Sequence, residues 1–116
     1  MSTIAKKRIL VLEDEFLIAL DLVDLVEDLG ANVVGPAYRI PDAIRLAETQ
    51  DIDAAILDVN INGDRSDDVA RLLSDRSVPF IFATGYGDEV SADGIIVVPK
   101  PYSKAEIERA LQVVLG

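Results

Sequence analysis

Ala54-Ala55-Ile56-Leu57-Asp58 is a short apolar run that ends on a carboxylate. A continuous run of this length, bounded by polar residues, is the mark of a strand buried on both faces. Three more runs end on a functional group: Ile9-Leu10-Val11-Leu12 on Glu13-Asp14, Phe80-Ile81-Phe82-Ala83 on Thr84, and Ile95-Ile96-Val97-Val98-Pro99 on Lys100. In an open parallel α/β sheet the carboxyl ends of the strands border the crevice where ligands bind. Carboxylates, a hydroxyl and an ammonium are therefore expected along one edge of one sheet.

The segments between these runs are amphipathic, the alternation that βαβ units produce. The first strand spans about Arg8 to Leu12, and a helix follows from near Glu15 to Leu29, with Gly30 closing it. Ile18, Leu22, Leu25, Val26 and Leu29 form its core stripe, while Leu17, Leu20 and Val23 lie off that stripe. Ala31 to Val34 reads as a shorter strand ended by Gly35-Pro36, and Pro41 to Thr49 as a helix with Ile44 and Ala47 turned inward. Asn62-Gly63 marks a turn, and Ser66 or Asp67 is placed to cap a helix carrying Val69, Leu72 and Leu73. The last helix starts near Ser103, with Ile107, Ala110, Leu111 and Val114 on one face. Only Gly85 to Gly94 separates the fourth and fifth strands, fewer residues than a helical crossover normally takes, so a loop or single mobile turn is expected there.

A chain of 116 residues, half of them hydrophobic, fits one domain spanning residues 1–116 with a real core. Its net charge is -10, and it has no lysine or arginine stripe, which argues against nucleic-acid binding. Lys6-Lys7-Arg8, the only basic cluster, reads as a solubilising lead-in to the first strand. The absence of cysteine excludes disulfides and fits a cytoplasmic protein, and no stretch resembles a signal peptide or membrane span. With no histidine, histidine-based zinc sites and Ser-His-Asp triads are excluded.

The chemistry open to the converging groups is narrower. If Glu13, Asp14 and Asp58 lie within about 5 Å, each ionised pair costs about 3 kcal/mol at an effective dielectric of about 20. Lys100 supplies one offsetting charge. A divalent ion is the other natural partner, and an all-oxygen site suits Mg2+, with the Asn60 main-chain carbonyl two residues past Asp58 as a further ligand. Aspartate can act as a phosphoryl nucleophile, already ionised at neutral pH, and Thr84 can donate to a phosphoryl oxygen. Each group has an ordinary alternative: the acids cap a helix, Asp58 opens a turn, Thr84 leaves a strand and Lys100 precedes a proline. Their joint placement at the ends of four strands favours a site.

From Lys7 to Leu115 the chain resembles the receiver domain of two-component response regulators. The resemblance rests on Val11-Leu12-Glu13-Asp14-Glu15, Leu57-Asp58-Val59-Asn60, Ala83-Thr84-Gly85 and Lys100-Pro101. It implies a flavodoxin-like, doubly wound five-stranded parallel sheet with a shortened or mobile fourth helix. Asp58 would take a phosphoryl group from a sensor histidine kinase or a histidine phosphotransfer protein. Asp14 would bind Mg2+ directly and Glu13 through water, Asn60 would lend its carbonyl, and Thr84 and Lys100 would contact the phosphoryl group. A cis peptide would join Lys100 to Pro101. Such a protein is a switch rather than a metabolic enzyme, a monomer or weak dimer that signals to a downstream protein target and touches neither nucleic acid nor membrane. Pro79-Phe80-Ile81-Phe82-Ala83-Thr84-Gly85-Tyr86 further resembles the subgroup marked by Phe-Ala-Thr-Gly, often free-standing receivers.

Competing readings fit less well. An aspartyl-nucleophile phosphohydrolase typically has a second acid two residues past its nucleophile, where this chain has Asn60, and places the nucleophile after the first strand. A nucleotide or flavin binder needs a phosphate cradle where Glu13-Asp14-Glu15 would repel phosphate. Leu17, Leu20 and Val23 read as partly covered helix surface or as a docking face for the kinase or a second receiver.

One departure concerns the switch. Val97 stands three residues before the lysine, where most receivers carry Tyr or Phe. Tyr86 and Tyr102 are the aromatic candidates to move in its place, with residues 85 to 94 ordering on phosphorylation. Amide exchange across that segment should slow when a phosphoryl mimic is added; unchanged protection would rule the mechanism out.

Overall fold

The computed structural model describes residues 3–84, 96–99 and 103–116. The described elements are β1 (Arg8–Leu12), α1 (Phe16–Asp28), β2 (Asn32–Ala37), α2 (Ile40–Thr49), β3 (Ala54–Asp58), β4 (Asn60–Ile61), β5 (Asp64–Arg65), α3 (Asp67–Asp75), β6 (Phe80–Thr84), β7 (Ile96–Pro99) and α4 (Lys104–Leu115). Five strands form one parallel sheet in the order β2-β1-β3-β6-β7. This is the flavodoxin-like doubly wound arrangement. Residues 85 to 94, where a shortened fourth helix is expected, lie outside the described residues.

Alternation along the strands splits the core in two, because successive side chains leave a strand on opposite faces. Ile9, Val11, Ala54, Ile56, Ile81 and Ala83 point to one face, where Leu22 and Val26 of α1 and Ile107 and Leu111 of α4 cover them. Leu10, Leu12, Ala55, Leu57 and Phe82 point to the other, under Ala43 and Ala47 of α2 and Val69 and Leu73 of α3. Small residues on α2 let it sit close to the sheet. The central strand β3 is buried at every position.

Helix ends follow local chemistry. Gly30 adopts φ +90 just past α1, the left-handed turn that ends a helix. Ser103 and Glu106 form a reciprocal capping box on α4, with each side chain bonded to the other residue's main-chain N–H. On α1 the core stripe holds at Leu22 and Val26, with Ile18, Leu25 and Leu29 half-buried, while Leu17 and Leu20 are exposed and Val23 is half-buried.

Three expectations are corrected. The second strand does not stop at Val34; β2 continues through Gly35-Pro36 to Ala37. It is an edge strand paired only with β1, and a proline without an N–H is tolerated there. Leu10 pairs with Val34 and Leu12 with Ala37, so β2 carries one extra residue, a bulge at which Gly35 takes φ +100. Arg8 is also more than a solubilising charge. Its guanidinium donates to the Asp51 carbonyl at 2.6 Å and the Gln50 side chain at 3.1 Å, and its N–H to the Asp53 carboxylate at 2.8 Å, tying β1 to the segment entering β3. Finally, Ser66 sits at the N-cap of α3, but its side chain makes no capping hydrogen bond.

Ile56 is fully buried at the middle of the sheet, whereas Val113 is 63% exposed on α4. Truncating Ile56 to alanine should lower unfolding free energy by about 2–5 kcal/mol, and Val113→Ala should change it by less than about 0.5 kcal/mol, both read from urea denaturation.

Candidate functional site

The chain leaves β1 for the edge strand on one side, then crosses to β3 on the other. A doubly wound sheet opens its ligand crevice at this reversal, outside the carboxyl ends of the diverging strands. Leu12 and Leu57 are register partners, so Glu13-Asp14 and Asp58 emerge side by side into that crevice. One oxygen from each of the three carboxylates lies within 4.8 Å of the others.

Each acid is held by main-chain N–H groups as well as by its strand. Glu13 is 1% exposed; its N–H donates to the Ala37 carbonyl at 3.0 Å, and its Oε2 accepts from Glu15 N–H at 3.0 Å. The extension of β2 thus supplies the carbonyl that fixes the Glu13 main chain. Glu15 occupies the N-cap of α1 without a side-chain cap of its own, so Glu13 serves the helix entrance while facing the cluster. Asp14 Oδ2 accepts from Asn62 N–H at 2.9 Å, across the crevice from a different loop. Asp58 is 5% exposed, and its Oδ1 accepts from Asn60 N–H at 3.3 Å.

The loop after β3 is an antiparallel hairpin, Asn60 pairing with Arg65 and Ile61 with Asp64. Asn62 (φ +53) and Gly63 (φ +89) form its two-residue turn, the left-handed pair that closes a tight hairpin. Asn60 Oδ1 accepts from Gly63 N–H at 2.9 Å, which commits that side chain to the turn and leaves the main-chain carbonyl of Asn60 as its candidate metal ligand. Ser66 is fully buried where the hairpin meets α3; its hydroxyl donates to the Asp58 carbonyl at 2.5 Å and lies 3.4 Å from that of Val59.

Hard oxygen donors converging within 4.8 Å suit a small divalent cation. Each ionised pair at that spacing repels by about 3 kcal/mol at an effective dielectric of about 20, a cost that a bound cation would offset. Glu13, Asp14 and Asp58 are brought together; Asn60 lies two residues beyond. Thr84 ends β6 and pairs in register with Pro99, so the fourth strand end reaches the same sheet edge. The Thr84 side chain, Tyr86, Lys100, Tyr102 and the peptide between Lys100 and Pro101 lie outside the described residues. Val97 is exposed on β7.

The hairpin pairing, the Asn62 contact to Asp14 and the inward hydroxyl of Ser66 go beyond what the residue pattern shows. Asn62-Gly63 was the available signal for the first, since an Asn-Gly pair favours a two-residue hairpin turn. The second joins separate loops and the third turns back across the hairpin to a residue eight positions earlier, so neither leaves a local pattern.

The chain matches the family model for the response regulator receiver domain over residues 9–112. It is 34% identical over 114 residues to the phyllosphere-induced regulator PhyR of Methylorubrum extorquens, covering 92% of this chain and 43% of that protein. To the transcriptional regulatory protein PdtaR of Mycobacterium tuberculosis it is 28% identical, over 95% of this chain and 57% of the relative. The chain therefore spans about half the length of the curated relatives it matches. The solution structure of SdrG from Sphingomonas melonis Fr1 superposes with a TM-score of 0.85 at 38% identity, over 100% of both chains. SdrG in a BeF3-activated conformation, from Pseudomonas melonis Fr1, gives 0.78 at 38% identity, over 97% of this chain and 98% of that one.

The left-handed backbone at Asn62 should reject a β-branched side chain. Asn62→Val is expected to lower stability by about 1–2 kcal/mol and Asn62→Gly by no more than a few tenths, compared by urea denaturation.

Proposed function

The chain belongs to the response regulator receiver family, and from that premise we propose that it is a phosphorylatable signalling switch with Asp58 as its phosphoryl acceptor. The observation that carries this reading is the packing of three carboxylate oxygens within 4.8 Å at the adjoining ends of β1 and β3. The donor is a phosphohistidine on a sensor histidine kinase or a histidine phosphotransfer protein. In the transfer an Asp58 oxygen forms the new P–O bond as the P–N bond breaks, and the histidine nitrogen takes up a proton.

Glu13, Asp14, Asp58 and the Asn60 carbonyl would hold Mg2+, with Asp14 direct and Glu13 through water. When bound, the ion neutralises the oxygens of the moving phosphoryl group. The protein's own residues set the geometry. Asn60 N–H orients the Asp58 carboxylate, and Asn62 N–H orients that of Asp14. Burial of Glu13 and Asp58 excludes water from the charges and strengthens their interactions. Thr84 and Lys100 contact the phosphoryl oxygens in this reading; Lys100 follows directly on Pro99, the register partner of Thr84.

Residues 1–116 would work as a single receiver unit in the cytoplasm. It would signal through contacts with a downstream protein and turn over no diffusible substrate. With Val97 in place of an aromatic residue, Tyr86 and Tyr102 remain the proposed reporters of the phosphorylated state.

Incubation with Mg2+ and acetyl phosphate, followed by intact-protein mass, should show one phosphoryl group per chain, absent in Asp58→Asn. Mg2+ alone should raise unfolding free energy by about 2.7 kcal/mol at a hundredfold excess over its dissociation constant, an increment that Asp14→Asn should remove. A wild-type protein that takes no phosphoryl group from either acetyl phosphate or a phosphohistidine donor would overturn the reading.

A further inference from the structure

Ser66 is fully buried, and with Glu13 and Asp58 it makes up the buried polar or charged set among the described residues. A buried hydroxyl must bond to something, and its position offers an obvious partner, because an N-cap serine normally accepts from the first turn of its helix. Ser66 does not do this. Its backbone at φ -88, ψ 20 departs from the extended shape of a capping residue, and no side-chain cap forms on α3. The hydroxyl turns back instead and donates to the Asp58 carbonyl at 2.5 Å.

That carbonyl belongs to the residue whose carboxylate faces the cluster. The Ser66 main chain reinforces the hold, since its N–H donates to the Val59 carbonyl at 2.9 Å. On the far side, Val59 N–H donates to the Ala83 carbonyl of β6 at 3.3 Å. The peptide after Asp58 is thus clamped between the sheet and Ser66. From that peptide the chain runs directly to Asn60 N–H, which reaches back to Asp58 Oδ1 at 3.3 Å. A rotation of the 58–60 main chain would therefore swing the carboxylate and the Asn60 carbonyl together.

We infer that Ser66 is a positioning residue for phosphoryl transfer: its hydroxyl fixes the main chain on which Asp58 and the Asn60 carbonyl are mounted. The inference rests on the reading of Asp58 as acceptor. In-line transfer depends on near-attack geometry, and small misplacements cost rate steeply.

The test compares phosphorylation rates with acetyl phosphate at saturating Mg2+ for wild type, Ser66→Ala, Ser66→Thr and Leu73→Ala. Leu73 is a fully buried core residue of α3 that touches none of the acids' hydrogen bonds, so it reports what general loosening of that helix does. All are measured where circular dichroism shows them folded. Ser66→Ala should slow phosphorylation roughly 10- to 100-fold. Ser66→Thr, which keeps the hydroxyl, should recover most of the rate, and Leu73→Ala should stay within about twofold of wild type. Should the alanine variant fail to fold, Ser66→Cys takes its place, nearly the same size but a much weaker donor. A wild-type rate in Ser66→Ala or Ser66→Cys, or an equal slowing in Leu73→Ala, overturns the positioning role while leaving Asp58 as acceptor. Loss of phosphorylation in wild type itself overturns the parent reading, and this one with it.

Discussion

A strand buried on both faces can release a charged side chain only where it ends. β3 meets this constraint in full, since every residue from Ala54 to Leu57 is covered by helices on one face or the other. Asp58 is the first position at which a carboxylate can turn toward an opening without leaving a charge inside apolar packing. The same holds one strand away, where Leu12 is buried and Glu13-Asp14 follow. Because the two strands are parallel and in register at Leu12 and Leu57, their exits coincide, and so do their charges.

Bringing like charges together needs support, and the main chain provides it. Glu13, Asp14 and Asp58 accept from the N–H groups of Glu15, Asn62 and Asn60. Two of those donors lie on the hairpin after β3. This hairpin touches Asp14 through its turn and Asp58 through Ser66 at its far end. It bonds both to Asp14 and back to Asp58, so the relative placement of these carboxylates depends on its shape. The left-handed turn at Asn62-Gly63 and the inward hydroxyl of Ser66 are the features that define that shape.

Much of this was legible in residue order. The four apolar runs mark parallel strands, and the start of α4 near Ser103 and the stop of α1 at Gly30 follow from residue type alone. What residue order hides has a common physical origin. Gly35-Pro36 looks like a strand end in the sequence, yet an edge strand needs donors on one side only. Arg8 stands among lysines in the sequence and looks solvated there, whereas its partners are Gln50, Asp51 and Asp53 on another loop.

Sequence alone determined which side chains stand at strand ends, because burial demands apolar runs and the first polar residue after each run marks its exit. It also narrowed the chemistry those side chains permit, since the absence of histidine and cysteine excludes histidine-based zinc sites, Ser-His-Asp triads and disulfides. Tertiary structure decided how closely the acids approach and what orients them. Those quantities depend on strand order, on a bulge at the sheet edge and on hydrogen bonds between loops as far apart as Asp14 and Asn62. Such contacts are fixed by packing of the whole sheet, and no local pattern of residues encodes them.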